Sequence, residues 1–496
     1  MASPLTAQQA RARVPTPPLW LVLTVVGVVA LGLRLAFLFR APVFIIGDSE
    51  NYFWPGYELA REIGFDLDLR RTPGYPLFIA FVVRYVGEDL AALALTQHIL
   101  GVITCLVIAG LGVRFWGRWT GLLAGLLVAL SGPLLIAEQY VMAETLFIPL
   151  ATLTTGWIAL TLERPRWWSL LIGGLLIGVA ALTRPVGLVL AVAALIAIPV
   201  SAWFQRQDAR WWRLVAGRWI ILLAGVSILW VGWMARNAIV HGSFSAEGNA
   251  GQTLVGRAMR HDDGFAFENP GDPDPDRQRA REIMRDGRGG FVSPVRNRIM
   301  RDLHLDESQA NKLMRDLSLE AILRQPGYYL SGTVRWFGRL AQGSPERYKD
   351  HWQTRRDSGS REEWEALKDI RHLLGPPTPL QQAQYDETEA LVNIFQSARL
   401  GPTIPLLALI GVVGLAVGMG TRRPRPGVAA FLGLVGVGLL LAAVAMVAPL
   451  ARYRYPIEPL LGLLAAGGLT TLVELGRRAV IRGSARPAAL HVSTGQ

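Results

Sequence analysis

Long apolar runs recur along this sequence and limit its possible folds more than any other feature. An α-helix rises about 1.5 Å per residue, so roughly 20 apolar residues cross the ~30 Å hydrocarbon core of a bilayer. The sequence is 51% hydrophobic and 18% charged over 496 residues, which is too apolar for an ordinary soluble protein. It therefore predicts an all-α polytopic membrane protein with about ten transmembrane helices. The runs that reach or approach that length lie at 19–39, 90–113, 119–137, 141–162, 168–183, 186–204, 217–236, 400–420, 427–450 and 456–475.

The apolar stretch 75–86 is only about a dozen residues long, which is typical of an interfacial helix. If it is interfacial and the amino terminus is cytoplasmic, every loop on the cytoplasmic side is basic, as the positive-inside rule requires. A full span at 75–86 would instead move the basic loops between 114 and 218 outside. We therefore predict that both termini are cytoplasmic, in the plasma (inner) membrane. Much of the net charge of +12 then reflects topology, and no nucleic-acid-binding motif accompanies it.

This topology divides the chain into a cytoplasmic tail, a transmembrane core with a first outer loop, a long extracytoplasmic segment, a second group of transmembrane helices and a final cytoplasmic tail. Their boundaries are 1–18, 19–236 with the loop at 40–89, 237–399, 400–475 and 476–496. Within the long segment, Gly, Pro and charge at 261–300 indicate a mobile loop, and the patterns at 308–324 and 362–374 indicate helices. A second interfacial helix is predicted at 328–340.

Acidic residues stand in two loops on the predicted outer side. Asp48 and Glu50 follow the first span, and Glu138 and Glu144 flank the turn between the third and fourth spans. A carboxylate at such a position can act as a general base or bind a divalent cation. The alternative is structural: Asp48 or Ser49 caps a short helix, and Glu144 interacts with a helix dipole.

Arginines occupy the other outer loops, against the positive-inside bias. Arg71 precedes a Pro-Gly turn, Arg184 joins the fifth and sixth spans, and Arg236-Asn237 follows the seventh. Arg452 and Arg454 share the last outer turn. Such residues either extend toward lipid headgroups or bind an anion, and phosphate is the anion that best fits several arginines at a membrane surface.

Several common chemistries lack support in the sequence. The lone cysteine, Cys105, excludes an intramolecular disulfide, and the seven histidines have no metal-ligand spacing. No Walker loop, dinucleotide-binding glycine motif or GxSxG is present. No convincing internal repeat supports an inverted-repeat transporter.

The order of these motifs resembles the GT-C superfamily of membrane glycosyltransferases, particularly the bacterial relatives of protein O-mannosyltransferases and the lipid A aminoarabinose transferases. The resemblance covers 34–256 and 442–475. Asp48 to Tyr52 is similar to the first-loop acidic motif, although the family often has adjacent acids there and this chain has Asp-Ser-Glu. The other similar segments are Arg71 to Pro76, with Thr-Pro for the usual double proline, Ala143 to Thr145, Leu182 to Pro185, Arg236-Asn237 with Gly242, and Arg452 to Pro456.

The resemblance implies a GT-C-like fold and transfer of a sugar from a polyprenyl-phosphate donor to an extracytoplasmic protein, lipid or glycan, usually with inversion. It implies that Asp48 is the catalytic base and that Glu144 supports it or helps to bind a metal. Arg71, Arg184, Arg452 and Arg454 would hold the donor phosphate. Supporting roles fall to Glu50, Tyr52, Tyr75, Glu138, Arg236 and Asn237. No cofactor is expected to be required, although a divalent metal is possible.

Two other functions fit parts of the pattern. A transporter or lipid flippase would use the same acids and arginines as a substrate path, but it should place them near the bilayer midplane. A noncatalytic scaffold presenting the segment 237–399 would tolerate substitution of Asp48 and Arg454. The sugar and the acceptor cannot be identified from the sequence.

Overall fold

A computed structural model describes residues 16–40, 43, 48–205, 211–247, 250–260, 265–287, 292–343, 401–421, 423–446 and 451–484. Regular secondary structure in these residues is helical, which confirms the predicted all-α class. The helix expected at 362–374 lies outside the described residues. The α-helices are α1 (Leu19–Arg40), α2 (Glu50–Ala60), α3 (Gly74–Tyr85), α4 (Leu90–Phe115), α5 (Arg118–Ala129), α6 (Gly132–Ala137), α7 (Ala143–Glu163), α8 (Trp167–Thr183), α9 (Leu188–Gln205), α10 (Trp211–His241), α11 (Ala250–Arg260), α12 (Pro275–Asp286), α13 (Val292–Asp302), α14 (Glu307–Arg324), α15 (Pro326–Gln342), α16 (Thr403–Val417), α17 (Pro426–Met446) and α18 (Glu458–Ser484).

Seven segments in the described residues are long and apolar enough to cross a membrane, and they correspond to α1, α4, α7, α9, α10, α17 and α18. Three shorter apolar helices, α5, α8 and α16, lie where three further spans are expected. The fold is that of a multi-pass membrane protein, and the count of ten spans stays a prediction. The short helix α3 covers 12 residues, as expected of a helix too short to span.

The expected third span, 119–137, is interrupted. The helix α5 ends at Ala129, and α6 begins at Gly132 with Pro133 in its first turn. A proline ring collides with the carbonyl group four residues earlier in a continuous helix, which here is that of Ala129. The break places the chain after Ala137 in a buried turn that leads directly to α7.

Glycines allow the apolar helices to approach closely. A Cβ atom at Gly411 of α16 would lie 2.1 Å from the carbonyl oxygen of Leu464 in α18, and one at Gly468 would lie 2.0 Å from that of Leu407. A Cβ atom at Gly174 of α8 would lie 2.2 Å from the Leu222 carbonyl oxygen in α10. Helices in a bilayer associate mainly through close packing, and small residues permit it.

The long polar segment contains a helical bundle with its own core, so the expectation of a mobile loop over 261–300 is wrong for much of that range. The helices α12 and α13 occupy 275–286 and 292–302 and pack with α11 and α14. Asp274 accepts hydrogen bonds from the first-turn amides of α12, which begins with Pro275, a favoured first helical residue. The buried core includes Met259, Ala280, Ile283, Met284, Ile299, Met314 and Leu317.

The helix α15 is amphipathic and lies against the transmembrane core. Trp336 and Phe337 pack on that core, whereas Leu330 and Val334 are exposed. The Tyr329 hydroxyl donates to the Ala445 carbonyl oxygen at 3.0 Å. The sequence correctly predicted a helix here, and its exposed apolar face suits a position at a membrane surface.

Candidate functional site

Five charged residues from five separate parts of the chain meet at one end of the helical core. Asp48 precedes α2, Arg71 precedes α3, and Glu144 is in the first turn of α7. Arg184 follows α8, and Arg452 is in the 3-10 helix Ala451–Ile457 before α18. We call these five residues the charged cluster. Each had been identified as a candidate in the sequence.

The first ion pair in the charged cluster joins Arg71 and Asp48. An Arg71 guanidinium nitrogen donates to Asp48 Oδ1 at 2.8 Å. The same guanidinium lies 5.0 Å from the ring centroid of Tyr52, within cation–π range. The Asp48 side chain is 43% exposed, which leaves it open to an incoming group.

The second ion pair joins Arg184 to Glu144 at the start of α7. Arg452 connects the two pairs, because it lies 3.9 Å from Asp48 Oδ2 and 3.9 Å from Glu144 Oε1. The ring of Tyr453 lies beside both Arg184 and Arg452, at 5.8 and 5.6 Å from their guanidinium carbons. Tyr453 had not been singled out in the sequence.

A close contact between two turns brings Arg71 and Arg184 together. The Thr72 hydroxyl donates to the Thr183 carbonyl oxygen at 3.1 Å. A Cβ atom at Gly74 would lie 2.7 Å from the Thr183 Cα atom, so only glycine fits there. The Pro-Gly turn after Arg71 therefore has a structural purpose, since it places that arginine against the turn that carries Arg184.

The charged cluster is not saturated by internal hydrogen bonds. Among the described residues, Glu144 Oε2 and Arg452 Nε are buried and have no hydrogen-bond partner. Buried polar atoms in native proteins are nearly always satisfied, so such atoms suggest a place for a ligand or water. Two acids and three arginines with free capacity form a polar site with a formal charge of +1.

The electrostatic environment keeps Asp48 ionised. Burial alone would raise the pKa of Asp48, but the nearby Arg71 and Arg452 outweigh it and bring that pKa below its usual value. An ionised carboxylate can accept a proton, which is the property that a general base needs. The pKa of Tyr52, in contrast, is raised by burial, so its hydroxyl keeps its proton.

Glu138 lies in a separate buried cluster. Its Oε1 accepts a hydrogen bond from Arg34 at 2.7 Å, and its Oε2 is 2.7 Å from His98 Nδ1. Gly101 makes room for it, because a Cβ atom there would lie 2.1 Å from Glu138 Oε1. Glu138 therefore holds α1, α4 and α6 together and does not join the charged cluster.

Tyr75 and Gln97 connect the two clusters. The Tyr75 hydroxyl donates to Gln97 Oε1 at 2.7 Å, and Gln97 Nε2 donates to the Glu138 carbonyl oxygen at 2.9 Å. The Tyr75 ring makes an edge contact with Tyr52, with ring centroids 5.6 Å apart. Tyr75 thus packs against Tyr52, whose ring in turn contacts Arg71.

The remaining candidates make contacts of their own. Arg454 Nε is 2.9 Å from Glu458 Oε1, so its charge is largely balanced within α18 and the preceding turn. Arg236 donates to the side chain of Asn237 at 3.1 Å and lies over the Trp233 ring. Glu50 stands in the first turn of α2.

One acidic residue near the charged cluster was missed in the sequence. Glu247 is half-buried and interacts electrostatically with both Arg71 and Arg184. It lies ten residues after Asn237, and the Arg236-Asn237 motif is a sequence feature that could have pointed to it. Within the described residues, no three acidic, His or Cys side chains are grouped closely enough to hold a metal ion.

Comparison with protein families gives a match to the dolichyl-phosphate-mannose-protein mannosyltransferases over residues 70–233. The matched range contains Arg71, Glu144 and Arg184 of the charged cluster. It lies within the range 34–256 over which the sequence resembles the GT-C glycosyltransferases. No curated protein matches the chain significantly.

Solved structures similar to this chain include an archaeal oligosaccharyltransferase and a bacterial protein named ArnT. The archaeal oligosaccharyltransferase AglB from Archaeoglobus fulgidus has 12% sequence identity and a TM-score of 0.48, covering 96% of this chain and 52% of its own. ArnT from Cupriavidus metallidurans, bound to undecaprenyl phosphate, has 13% identity and a TM-score of 0.41, covering 94% of this chain and 80% of its own. The chain thus spans about half the length of the archaeal enzyme.

Proposed function

We propose that this protein is a glycosyltransferase that moves a sugar from a polyprenyl-phosphate donor to a hydroxyl group of an extracytoplasmic acceptor. The observation that carries the proposal is the charged cluster, in which a partly exposed, ionised Asp48 lies beside three arginines. The matched family, described by a sugar carried on dolichyl phosphate, supports this donor class. The acceptor is a protein, lipid or glycan of the cell envelope.

The reaction follows from the placement of the carboxylate of Asp48 and of the three arginines of the charged cluster. The acceptor oxygen attacks the anomeric carbon of the sugar and gives its proton to Asp48. The bond between that carbon and the phosphate oxygen breaks, and its electron pair leaves with the polyprenyl phosphate. A single displacement of this kind inverts the anomeric centre.

The arginines stabilise the leaving group. A phosphodiester carries about one negative charge and the released monoester up to two, so cations close to the phosphate bind the transition state more tightly than the donor. Arg452 is the best candidate for direct contact, because its nearest carboxylate oxygens are 3.9 Å away. Arg71 and Arg184 are each held by a close acid, which fixes their positions for the phosphate.

A transporter is less well supported by the arrangement of charge. Glu144 lies in the first turn of α7, Arg184 follows the last residue of α8, and Arg452 precedes α18. These residues are at helix ends, whereas a carrier should hold its substrate near the bilayer midplane. An enzyme acting where a lipid phosphate meets water needs them at the ends.

The proposal is tested with purified protein reconstituted into liposomes together with a panel of short-chain polyprenyl-phosphate sugars. We expect release of polyprenyl phosphate in the presence of envelope extract from a deletion strain, and loss of that release in Asp48→Asn. Mass spectrometry of envelope glycans should show one sugar missing in the deletion strain and restored only by the wild-type protein. Normal complementation by Asp48→Asn, with no transfer from any donor, would refute the proposal.

A topology reporter tests the predicted side of the site. Fusions that end after Asp48 or Arg454 should report an extracytoplasmic position. A cytoplasmic signal from either fusion would contradict transfer to an external acceptor.

A further inference from the structure

Gln97 of α4 is a buried polar side chain that the proposed reaction does not use directly. It is 1% exposed and belongs to a helix that is long and apolar enough to cross a membrane. An unpaired amide group in such a place is costly, because neither lipid nor water satisfies it there. The hydrogen bonds of Gln97 therefore indicate which parts of the fold it holds together.

Both the nitrogen and the oxygen of the Gln97 amide group form hydrogen bonds. Nε2 donates to the carbonyl oxygens of Glu138 at 2.9 Å and Tyr140 at 3.2 Å, and Oε1 accepts from the Tyr75 hydroxyl at 2.7 Å. Backbone carbonyl oxygens only accept hydrogen bonds, so they fix the orientation of the amide and leave Oε1 facing Tyr75. One side chain thereby joins α3, α4 and the turn between α6 and α7.

On the α3 side, Gln97 is connected to the first ion pair of the charged cluster. The buried Tyr75 ring makes an edge contact with Tyr52, with ring centroids 5.6 Å apart and the ring planes at 80°. The Tyr52 ring centroid lies 5.0 Å from the guanidinium carbon of Arg71, which pairs with Asp48. The bond between Gln97 and Tyr75 thus supports the two rings against which Arg71 lies.

On the α7 side, Gln97 is connected to the second ion pair. The Tyr140 carbonyl oxygen that accepts from Gln97 also accepts from the buried Thr145 hydroxyl at 3.2 Å. Thr145 directly follows Glu144 in the first turn of α7, and Glu144 pairs with Arg184. Both ion pairs of the charged cluster are therefore linked to one amide group, although they come from distant parts of the chain.

We propose that Gln97 is a positioning residue, which sets the separation between the two ion pairs of the charged cluster. This inference rests on the proposed function, since it takes the polyprenyl-phosphate sugar as the ligand of that cluster. Charge alone attracts the donor phosphate, but transfer also needs the anomeric carbon aligned with the acceptor oxygen near Asp48. A displacement of about 1 Å can cost roughly 100-fold in rate with every charge still present. Loss of the Gln97 amide should therefore affect kcat more than donor binding.

The first test replaces the amide and keeps the packing. Methionine resembles glutamine in length and shape but has no hydrogen-bond donor, so Gln97→Met removes both bonds to the carbonyl oxygens. We expect kcat for sugar transfer by the reconstituted protein to fall about 10- to 100-fold. The dissociation constant for farnesyl phosphate, measured by isothermal titration calorimetry, should stay within about threefold of the wild type, because the arginines are all retained.

A matched control lies about two helical turns further along α4. The Thr104 side chain is 2% exposed, and its hydroxyl donates to the Leu100 carbonyl oxygen of the same helix at 2.9 Å. Thr104→Val therefore removes a buried hydrogen bond from α4 without changing the contacts that lead to the charged cluster. It should keep the kcat of the wild type, whatever its effect on thermal unfolding.

The second test asks whether Gln97 acts through Tyr75. Tyr75→Phe keeps the ring against Tyr52 and removes the hydroxyl that donates to Gln97, so we expect kcat to fall about 3- to 10-fold, as for one lost hydrogen bond. Because both single variants break the same bond, the double variant should lie within about twofold of Gln97→Met alone. Two residues that act independently would instead multiply their separate losses.

Calorimetry also separates positioning from a folding defect, because unfolded molecules lower the number of farnesyl phosphate sites per protein. Four results would overturn the assignment: a wild-type kcat in Gln97→Met, a loss of sites that accounts for its whole loss of kcat, an equal loss of kcat in Thr104→Val, or multiplied losses in the double variant. If Asp48→Asn is inactive while Gln97→Met transfers sugar at the wild-type rate, only this inference fails. If the wild-type protein transfers no sugar, the proposed function fails with it.

Discussion

The two ends of α7 carry one buried glutamate each, and their surroundings differ. Glu163, the last residue, is bound by three arginines: Oε1 accepts from Arg425 at 2.6 Å and Arg423 at 3.2 Å, and Oε2 pairs with Arg114. Glu144, in the first turn, has one close arginine partner, and its Oε2 has no hydrogen-bond partner among the described residues. The side chains are equally buried, at 4% and 5% exposure.

The comparison separates a structural acid from a functional one. Around Glu163 the arginines bond to both carboxylate oxygens and join α4, α7 and the residues before α17. Near Glu144, Arg452 is shared with Asp48, and its buried Nε has no hydrogen-bond partner among the described residues. Burial and charge are alike at both ends, and it is the unfilled hydrogen-bonding capacity that indicates a site.

Asp48→Asn should have the largest effect. It keeps the shape of the side chain but removes the proton acceptor, so we expect kcat to fall about 10²- to 10⁴-fold, the range for loss of a general base. The measurement is sugar transfer by reconstituted protein. Asp66→Asn, an exposed acid in the same loop, is the control and should retain full activity.

Glu163→Gln should damage stability and spare catalysis. It leaves the buried Arg425, 5% exposed, without its ionised partner, and breaking one side of a buried pair costs roughly 3 kcal/mol or more. We expect a lower thermal unfolding temperature in detergent and a kcat/KM within about twofold of the wild type at a permissive temperature. A large catalytic loss in fully folded Glu163→Gln would contradict the assignment of Glu163 as a structural acid and Glu144 as a functional one.

Arg452→Ala and Arg423→Ala form a matched pair. Arg452 lies near Glu144 at the start of α7, and Arg423 binds Glu163 at its end. Among the described residues, the nearest carboxylate oxygens to Arg452 are 3.9 Å away, so its loss should affect the donor more than the fold. We expect KM for the donor to rise about 10- to 100-fold, as for a lost charged hydrogen bond. Arg423, whose side chain is 55% exposed, should be nearly silent in the same assay. Equal effects in the two variants would argue against a phosphate site at Arg452.

The acid limb of the pH profile should show the smallest change. The pKa of Asp48 lies below its usual value, so its ionised form persists as the pH falls, and no activity should be lost through Asp48 between pH 7 and 5. Arg452→Gln removes one of the three arginines that lower that pKa and should move the acid limb upward by less than about one pH unit. A limb that moves downward would show that Arg452 does not act on Asp48.

The sequence predicted the helical class and the residues of the charged cluster, because apolar length and charge at span ends are local features. It did not predict that the expected third span, 119–137, is broken at 130–131, although Pro133 signals that break. The helices over 275–302 were missed because Gly, Pro and charge obscured the 3- and 4-residue spacing of Ala280, Ile283 and Met284. The Asp274-Pro275 cap would have indicated the first of them.

The sequence did not predict which residues that are distant along the chain form pairs in the fold. Glu138 was expected to support the site, but it pairs with Arg34, which lies inside the first apolar run, and with His98. Nothing local marks those three residues as neighbours. Glu247 was missed for the same reason, since its relation to Arg71 and Arg184 depends on how Asn237 and Trp233 hold the chain.

The contact between Gly74 and the Thr183 backbone has a consequence for binding. At this contact the turn after Arg71 packs directly against the backbone just before Arg184. The two turns are therefore fixed relative to each other when the protein folds, before any donor arrives. A ligand that binds between them need not order these turns itself.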